Sequence, residues 1–137
     1  MTQWDEAILK EFHENGGTTE MFDRDLVVLH TTGAKSGEPR ITPVRAVRDG
    51  DAWLVTATAG GAPHDPAWAH NLRAHPELEL EVAAPEDGIA RVAVRAAETP
   101  EPERSELYGR FVAVQESFAT YQEKTDRLFP VFRLTKV

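Results

Sequence analysis

The chain has no cysteine, no excess of basic charge and no long apolar run, and each shortage removes a class of explanation. Without cysteine there are no disulfides, no thiolate metal ligands and no thiol nucleophile, a composition that suits a reducing cytoplasm. No segment approaches the roughly 20 apolar residues that span a bilayer, and the N-terminus has neither the charged nor the apolar region of a signal peptide. A cytoplasmic protein without stable membrane insertion is therefore expected. Lysine and arginine number 15 against 23 acids, for a formal net charge of −8. General nucleic-acid binding needs a basic surface and is not expected. Repeats, low-complexity tracts and linkers are missing too, and 137 residues suit one domain built around a single pocket.

Familiar catalytic signatures are also lacking. Ser36, Ser105 and Ser117 have no Gly-x-Ser-x-Gly elbow around them. His64, His70 and His75 match no zinc spacing, so no metal is expected. Glu77, Glu79 and Glu81 alternate with Leu78, Leu80 and Val82, the period-two pattern of a strand with one solvated face, and are expected to project together into water. With no nucleophile or electron carrier of its own, the chain fits a protein that borrows its chemistry from a cofactor.

Against the acidic background, Lys35, Arg40, Arg45 and Arg48 fall within fourteen residues that hold one acid, Glu38. They surround the turn Gly33-Ala34-Lys35-Ser36-Gly37, between an apolar run, Leu26 to Leu29, and an extended segment from Ile41 to Val47. Two glycines allow successive backbone N–H groups to converge on one anion, while Lys35 and Arg40 add charge and Ser36 a hydroxyl. The Walker spacing is absent and no helix-forming run follows, which leaves an anion-binding hairpin or an ordinary glycine turn.

The other elements follow from caps, turns and periodicity. Thr2 with Asp5 three residues on begins a helix whose Trp4, Ile8 and Phe12 share a face, with Gly16-Gly17 as the stop. Packing against its own domain is the plainest role for this helix, and a lid over a cofactor pocket is another. Asp49-Gly50 marks a hairpin into a strand from Ala52 to Thr58. Asp65-Pro66 predicts a helix start and His75-Pro76 its end. Strands are expected at Glu77 to Val82 and Ile89 to Ala96, then a helix from Thr99-Pro100 reaching toward Phe118, then a short strand around Phe129 to Leu134. Five or six antiparallel strands interrupted by helices suit a small barrel.

Four blocks go further: Thr31 to Arg40 (TTGAKSGEPR) with Pro43 beyond it, Asp49 to Gly61 (DGDAWLVTATAGG), His64 to Val82 (HDPAWAHNLRAHPELELEV) and Tyr121 to Arg127 (YQEKTDR). In this order they resemble the deazaflavin-dependent nitroreductase family, which uses the 8-hydroxy-5-deazaflavin called coenzyme F420. The resemblance implies a mainly β, α+β fold: a split β-barrel, FMN-binding-like, of about six antiparallel strands, with an N-terminal helix at 1–17 and the barrel with its helices at 25–137 of a single domain. It implies an oxidoreductase that passes hydride from reduced F420 to a small-molecule acceptor such as a quinone, enone or nitro compound, and it leaves a homodimer open. Flavin mononucleotide (FMN) is the less expected cofactor, and a non-catalytic carrier of F420 or of a hydrophobic ligand is the alternative outside catalysis.

Carried over residue by residue, the resemblance puts Ala34, Lys35, Ser36 and Arg40 at the coenzyme's phosphate and tail. Ile41, Thr42, Pro43, Val44 and Arg45 run along the deazaflavin, Thr56, Ala57, Thr58 and Ala59 meet its ring from the neighbouring strand, and Ala67, Trp68, Ala69, His70 and Asn71 form a helical wall. Tyr121 stands at the acceptor end as the candidate catalytic phenol. This sequence departs from the family's pattern by smaller residues at Ala59 and Ala69 and by Phe118 in place of a tyrosine. These changes point to a different acceptor preference with the coenzyme retained.

Overall fold

One residue, Ala46, makes the sheet close. The computed structural model describes residues 2–137. In chain order it contains α1 (Gln3–Glu14), β1 (Leu26–Thr32), β2 (Pro39–Arg45), β3 (Val47–Asp49), β4 (Ala52–Thr56), α2 (Ala67–Ala74), β5 (Glu77–Ala83), β6 (Ile89–Glu98), α3 (Glu103–Val114), α4 (Ser117–Glu123) and β7 (Val131–Lys136), with a short 3-10 turn at Ala59–Gly61. The strands form one antiparallel sheet in the order β2-β1-β5-β6-β7-β4-β3. Its two edge strands, β2 and β3, are consecutive in the chain with only Ala46 between them. Successive Cα atoms are about 3.8 Å apart, so the sheet must curl until its edges nearly meet. Buried Ala46 sits at this seam, its amide donating to Asp25 O at 2.8 Å. The outcome is the expected split barrel with seven strands rather than six, because Ala46 divides what reads in sequence as one continuous strand.

The barrel interior is filled by Leu29, Val55, Leu80, Val94, Phe132 and Leu134, and closed at one end by Trp68 and Leu72 from α2. Alternate residues of β1 face the other way: Leu26 and Val28 pack with Ile8, Leu9 and Phe12 of α1. A strand buried on both faces reads as the unbroken apolar run seen at Leu26 to Leu29. On β4, Leu54 likewise turns outward to Phe111, Phe118 and Phe129 beneath α3 and α4.

Several expected boundaries move. α1 has the anticipated capping box, with Asp5 N donating to Thr2 Oγ1 at 3.1 Å, yet its buried face is Ile8, Leu9 and Phe12, and Trp4 is half-exposed. β4 ends at Thr56, before the 3-10 turn. Asp65 does not cap α2. Pro66 occupies that place without a side-chain cap, and the Asp65 carboxylate instead accepts from Arg73 and Arg127. Thr99 does not cap α3 either, since its hydroxyl donates to Val131 O at 2.9 Å. The single helix expected to reach Phe118 is two, broken where Gln115 adopts extended backbone at φ −153° and ψ 110°.

Glu81 is the clearest correction. Glu77 and Glu79 are exposed and pair across the sheet with Arg95 and Arg91, as the alternation suggests. Glu81 is buried, and its two carboxylate oxygens take His13 Nε2 at 2.8 Å and His30 Nε2 at 2.6 Å. Burial, the largest influence, pushes its pKa up, but the two imidazole bonds together outweigh it and hold the carboxyl below the usual glutamate value. Among the described residues no helix is long and apolar enough to cross a membrane.

Candidate active site

The glycine turn joins β1 to β2, whose last paired residues are Thr32 and Pro39. Much of its hydrogen-bonding capacity is spent on its own shape. Gly33 N donates to Glu38 O at 2.8 Å and Gly37 N to Gly33 O at 3.0 Å. Glu38 N donates to Ser36 Oγ at 3.2 Å, and Ala34 N to Asn71 Oδ1 on α2 at 2.9 Å. A Cβ at Gly33 would collide with Ser36 Oγ and stand 3.3 Å from Glu38 O, so any side chain there would turn the serine hydroxyl away from its bond with Glu38 N. The expectation that successive turn amides converge on an anion therefore narrows. Among the described residues, only the Lys35 and Ser36 amides within this turn have no partner in the chain, and the remaining capacity lies in side chains. Arg40 is loosely held, donating to Glu38 Oε2 at 3.4 Å and to Pro39 O at 3.3 Å, with its side chain 52% exposed.

Two cavities open along β2 and abut. The first, about 610 Å³, is lined by Ala34, Lys35, Ser36, Arg40, Ile41 and Thr42 on one side and by Ala67, Trp68, His70 and Asn71 of α2 on the other. The second, about 590 Å³, is lined by Thr42, Pro43, Val44 and Arg45, by Thr56, Thr58 and Ala59, and by Trp68, Phe118 and Tyr121. Thr42 and Trp68 belong to both, as do Thr2 and Asp5 at the start of α1, so the two spaces form one groove. It is cationic where Lys35 and Arg40 stand and aromatic where Phe118 and Tyr121 stand.

Of the expected site residues, all but Ala57 and Ala69 line this groove. Those two are fully buried in the barrel core. Sequence reasoning missed Trp4, Phe22, Pro66 and Gln115, together with Thr2 and Asp5. The opening residues of α1 thus border the groove. Trp4 gave no signal of this, since its spacing with Ile8 and Phe12 placed it on the face expected to pack against the domain. It packs edge-on against Phe22 with ring centroids 6.2 Å apart.

Arg127, the last residue of the fourth block, is a clamp outside the groove lining. Its guanidinium donates to Ala57 O at 3.1 Å, Thr58 O at 2.9 Å and Ala62 O at 3.0 Å, and to the Asp65 carboxylate. It thereby fixes the segment after β4 that supplies Thr58 and Ala59 to the groove. Gly61 in this segment meets α4 closely, for a Cβ there would stand 2.8 Å from Tyr121 O. Tyr121 is half-buried and packs edge-on against Phe118 at 5.8 Å. Beneath them Tyr108 OH donates to Phe118 O at 2.6 Å, and burial pushes that phenol up to about 12, so it remains a protonated donor. Among the described residues no group of three or more His, Asp or Glu is arranged to hold a metal ion.

The groove fits a planar ring with an anionic tail. Pro43, Val44 and Trp68 offer flat apolar walls, and the cationic end begins one residue earlier on the same strand, at Thr42. The profile of the family described as F420H(2)-dependent quinone reductase matches residues 6–136. An F420H(2)-dependent quinone reductase of Mycobacterium tuberculosis is 38% identical over 114 residues, covering 80% of this chain and 72% of that protein. A solved F420-H2-dependent reductase, FDR-A, superimposes with a TM-score of 0.69 at 35% identity, covering 81% of this chain and 94% of its own. Another structure, described as a domain-swapped dimer, gives 0.71 at 34% identity and covers 94% of this chain and 92% of its own.

Proposed function

Because the chain belongs to the F420H(2)-dependent quinone reductase family, we propose that the continuous groove along β2 is its coenzyme and acceptor site. The protein is an oxidoreductase that uses coenzyme F420 and reduces a quinone-like acceptor. When bound, the reduced deazaflavin supplies the hydride, and the protein contributes binding, orientation and charge.

The single observation that carries the site assignment is the groove's polarity along one strand. At its cationic end, Lys35, Arg40, Ser36 and the free amides of Lys35 and Ser36 hold the phosphate and acidic tail. Thr42, Pro43 and Val44 lie against the ring, Trp68 and Asn71 build the opposite wall, and Thr56, Thr58 and Ala59 face it from the segment that Arg127 clamps. Asn71 acts through the turn, since it holds Ala34 N while its amide donates to Thr31 Oγ1 at 3.4 Å. Tyr121 stands at the other end and orients the acceptor. Trp4 and Phe22 exclude water there, which strengthens every electrostatic contact within. Ala57 and Ala69 support this surface from the core.

The whole chain acts as one coenzyme-binding domain, an assignment supported by closure of the sheet through Ala46. A homodimer is supported by the relative described as a domain-swapped dimer, and sedimentation at several concentrations tests it. A cytoplasmic location is proposed as well and is tested by cell fractionation. Enones and nitro compounds remain acceptor classes to assay beside quinones. The coenzyme assignment is tested by titrating the protein with oxidised F420 and with FMN. The expected outcome is quenching of the deazaflavin fluorescence with the tighter affinity, whereas equal or tighter binding of FMN overturns it.

A further inference from the structure

Three arginine side chains are nearly enclosed: Arg45 with 14% exposure, Arg104 with 11% and Arg127 with 14%. Two of them are well bonded. Arg104 donates to Phe129 O at 2.9 Å, and Arg127 to three carbonyls and a carboxylate. Arg45 is different. Its shortest polar contacts are Nη1 to Gln115 Oε1 at 3.5 Å and Nη2 to Asp25 Oδ2 at 3.6 Å. Its Nε is buried without a hydrogen-bond partner, as is that of Arg104, but Arg104 Nε lies 3.3 Å from Glu101 Oε1 and its other nitrogens make bonds of 2.9 and 3.0 Å, which Arg45 does not match. Asp25, the acid within 4 Å of it among the described residues, is itself half-exposed and compensates it weakly.

A guanidinium cannot shed its proton, so this charge remains whatever the surroundings. Buried donors left without acceptors are costly, and charged ones more so. Arg45 also lines the lobe that contains Phe118 and Tyr121, at the opposite end of the groove from Lys35 and Arg40. The coenzyme's anionic groups are served at the turn. The Arg45 guanidinium also lies 5.8 Å from the centroid of the Phe22 ring, a contact that occupies none of its N–H donors, so donors remain there for a ligand.

The reaction supplies the candidate. A hydride carries two electrons and one proton. When the reduced coenzyme delivers it to a quinone, the coenzyme is oxidised and the quinone becomes a hydroquinone monoanion, with negative charge on a ring oxygen. A proton from water then completes the hydroquinone. We propose that Arg45 is the acceptor-binding cation of this enzyme: its guanidinium takes the acceptor oxygen that becomes anionic, and it selects acceptors that present a carbonyl or ionised oxygen to the lobe. The family resemblance assigns the Arg45 stretch to the coenzyme ring. The proposal keeps the backbone there and turns the side chain to the acceptor. It rests on the F420-dependent reading of the groove.

The test separates the two claims. Oxidised F420 is first titrated into wild type, Arg45→Gln and Arg45→Lys. Each protein, with and without saturating oxidised coenzyme, is then titrated with a hydroxynaphthoquinone that is ionised at neutral pH and with its neutral methyl ether. Quenching of the groove tryptophans Trp4 and Trp68 is the readout, and no turnover is needed. Wild type is expected to favour the ionised probe by about tenfold, the scale of one charge-assisted hydrogen bond. Arg45→Gln should lose that preference and Arg45→Lys keep part of it, with F420 affinity unchanged in all three. Steady-state reduction of a quinone by Arg45→Gln should show a lower kcat with the KM for reduced F420 retained.

An equal preference in wild type and Arg45→Gln overturns the proposal, as does loss of F420 binding in Arg45→Gln, which would return the residue to the coenzyme. Absence of any preference in wild type overturns it without recourse to a variant. If F420 fails to bind wild type, the reading of the groove fails, while the comparison made without coenzyme still decides whether Arg45 receives an anionic oxygen.

Discussion

If the cationic end of the groove holds the coenzyme's phosphate as proposed, Arg40 and Lys35 contribute unequally. Arg40 offers a planar fork that can grip a phosphate at two oxygens, whereas Lys35 is a mobile point charge. Both are exposed, and Arg40 already shares its charge with Glu38 at 3.4 Å, so the effect of either is moderated by solvent. Arg40→Ala should weaken F420 by about tenfold and Lys35→Ala by less, with the salt dependence of binding shallower in the Arg40 variant. Titration across ionic strength checks this, and unchanged affinities and slopes in both variants would show that the turn is structural.

Glu81 yields a pH prediction at the same scale. Its folded pKa lies below the ordinary value, so its contribution to stability is complete above about pH 4.3 and is lost as pH falls through the folded value. Glu81→Gln should remove on the order of 1 kcal/mol near neutrality and flatten the acid limb of the stability curve. Denaturant melts from pH 3 to 7 would show it, and parallel curves would argue against the His13–Glu81–His30 contact. This residue also shows where sequence reasoning stops. Period two marks the faces of β5 correctly at Glu77 and Glu79, but the partners that bury Glu81 come from α1 and β1, far away in the chain. Ala57 and Ala69 illustrate the same limit: a position within a recognised block need not face the ligand.

Among the elements, long periodic segments were legible and junctions were not. The capping box of α1 and the alternation of β5 and β6 appear in sequence as they do in the structure, because local bonds and one packed face decide them. Asp65 and Thr99 misled because a residue capable of capping can be claimed by a distant partner, Arg127 and Val131 O respectively. The same interaction makes Arg127 the mechanical support of the groove's 57–62 side. Arg127→Ala would leave the carbonyls of Ala57, Thr58 and Ala62 without this donor and the Asp65 carboxylate held by Arg73 alone, at a cost of about 1–3 kcal/mol. Arg127→Lys should recover only part, because an ammonium cannot reproduce the fork. Urea denaturation combined with F420 titration would resolve both effects, and a variant as stable and as tight-binding as wild type would show that the segment holds itself.

For the molecule as a whole, the absence of cysteine excludes thiol chemistry and the acidic balance argues against general nucleic-acid binding, but the strand order was not visible in the sequence. Barrel closure depends on Ala46 separating two strands that end on opposite edges of the sheet, a long-range consequence of pairing that no local pattern carries. The fold class followed instead from the four blocks, and the structure explains why they occur together. The first three surround one groove with the turn, the segment after β4 and α2, and the fourth brings Tyr121 to the groove's aromatic end and Arg127 to the clamp. If the deazaflavin ring lies along Thr42 to Val44 as proposed, a quinone in the same lobe beside Tyr121 would be close enough to take hydride directly. The most direct measurement follows the fluorescence of F420 as it is regenerated from reduced F420 mixed with a quinone, with and without the protein. We expect oxidation to saturate with both reactants and to scale with enzyme concentration. Tight F420 binding with no rate above the uncatalysed background, across a panel of quinones, would contradict this account and leave the protein as a carrier.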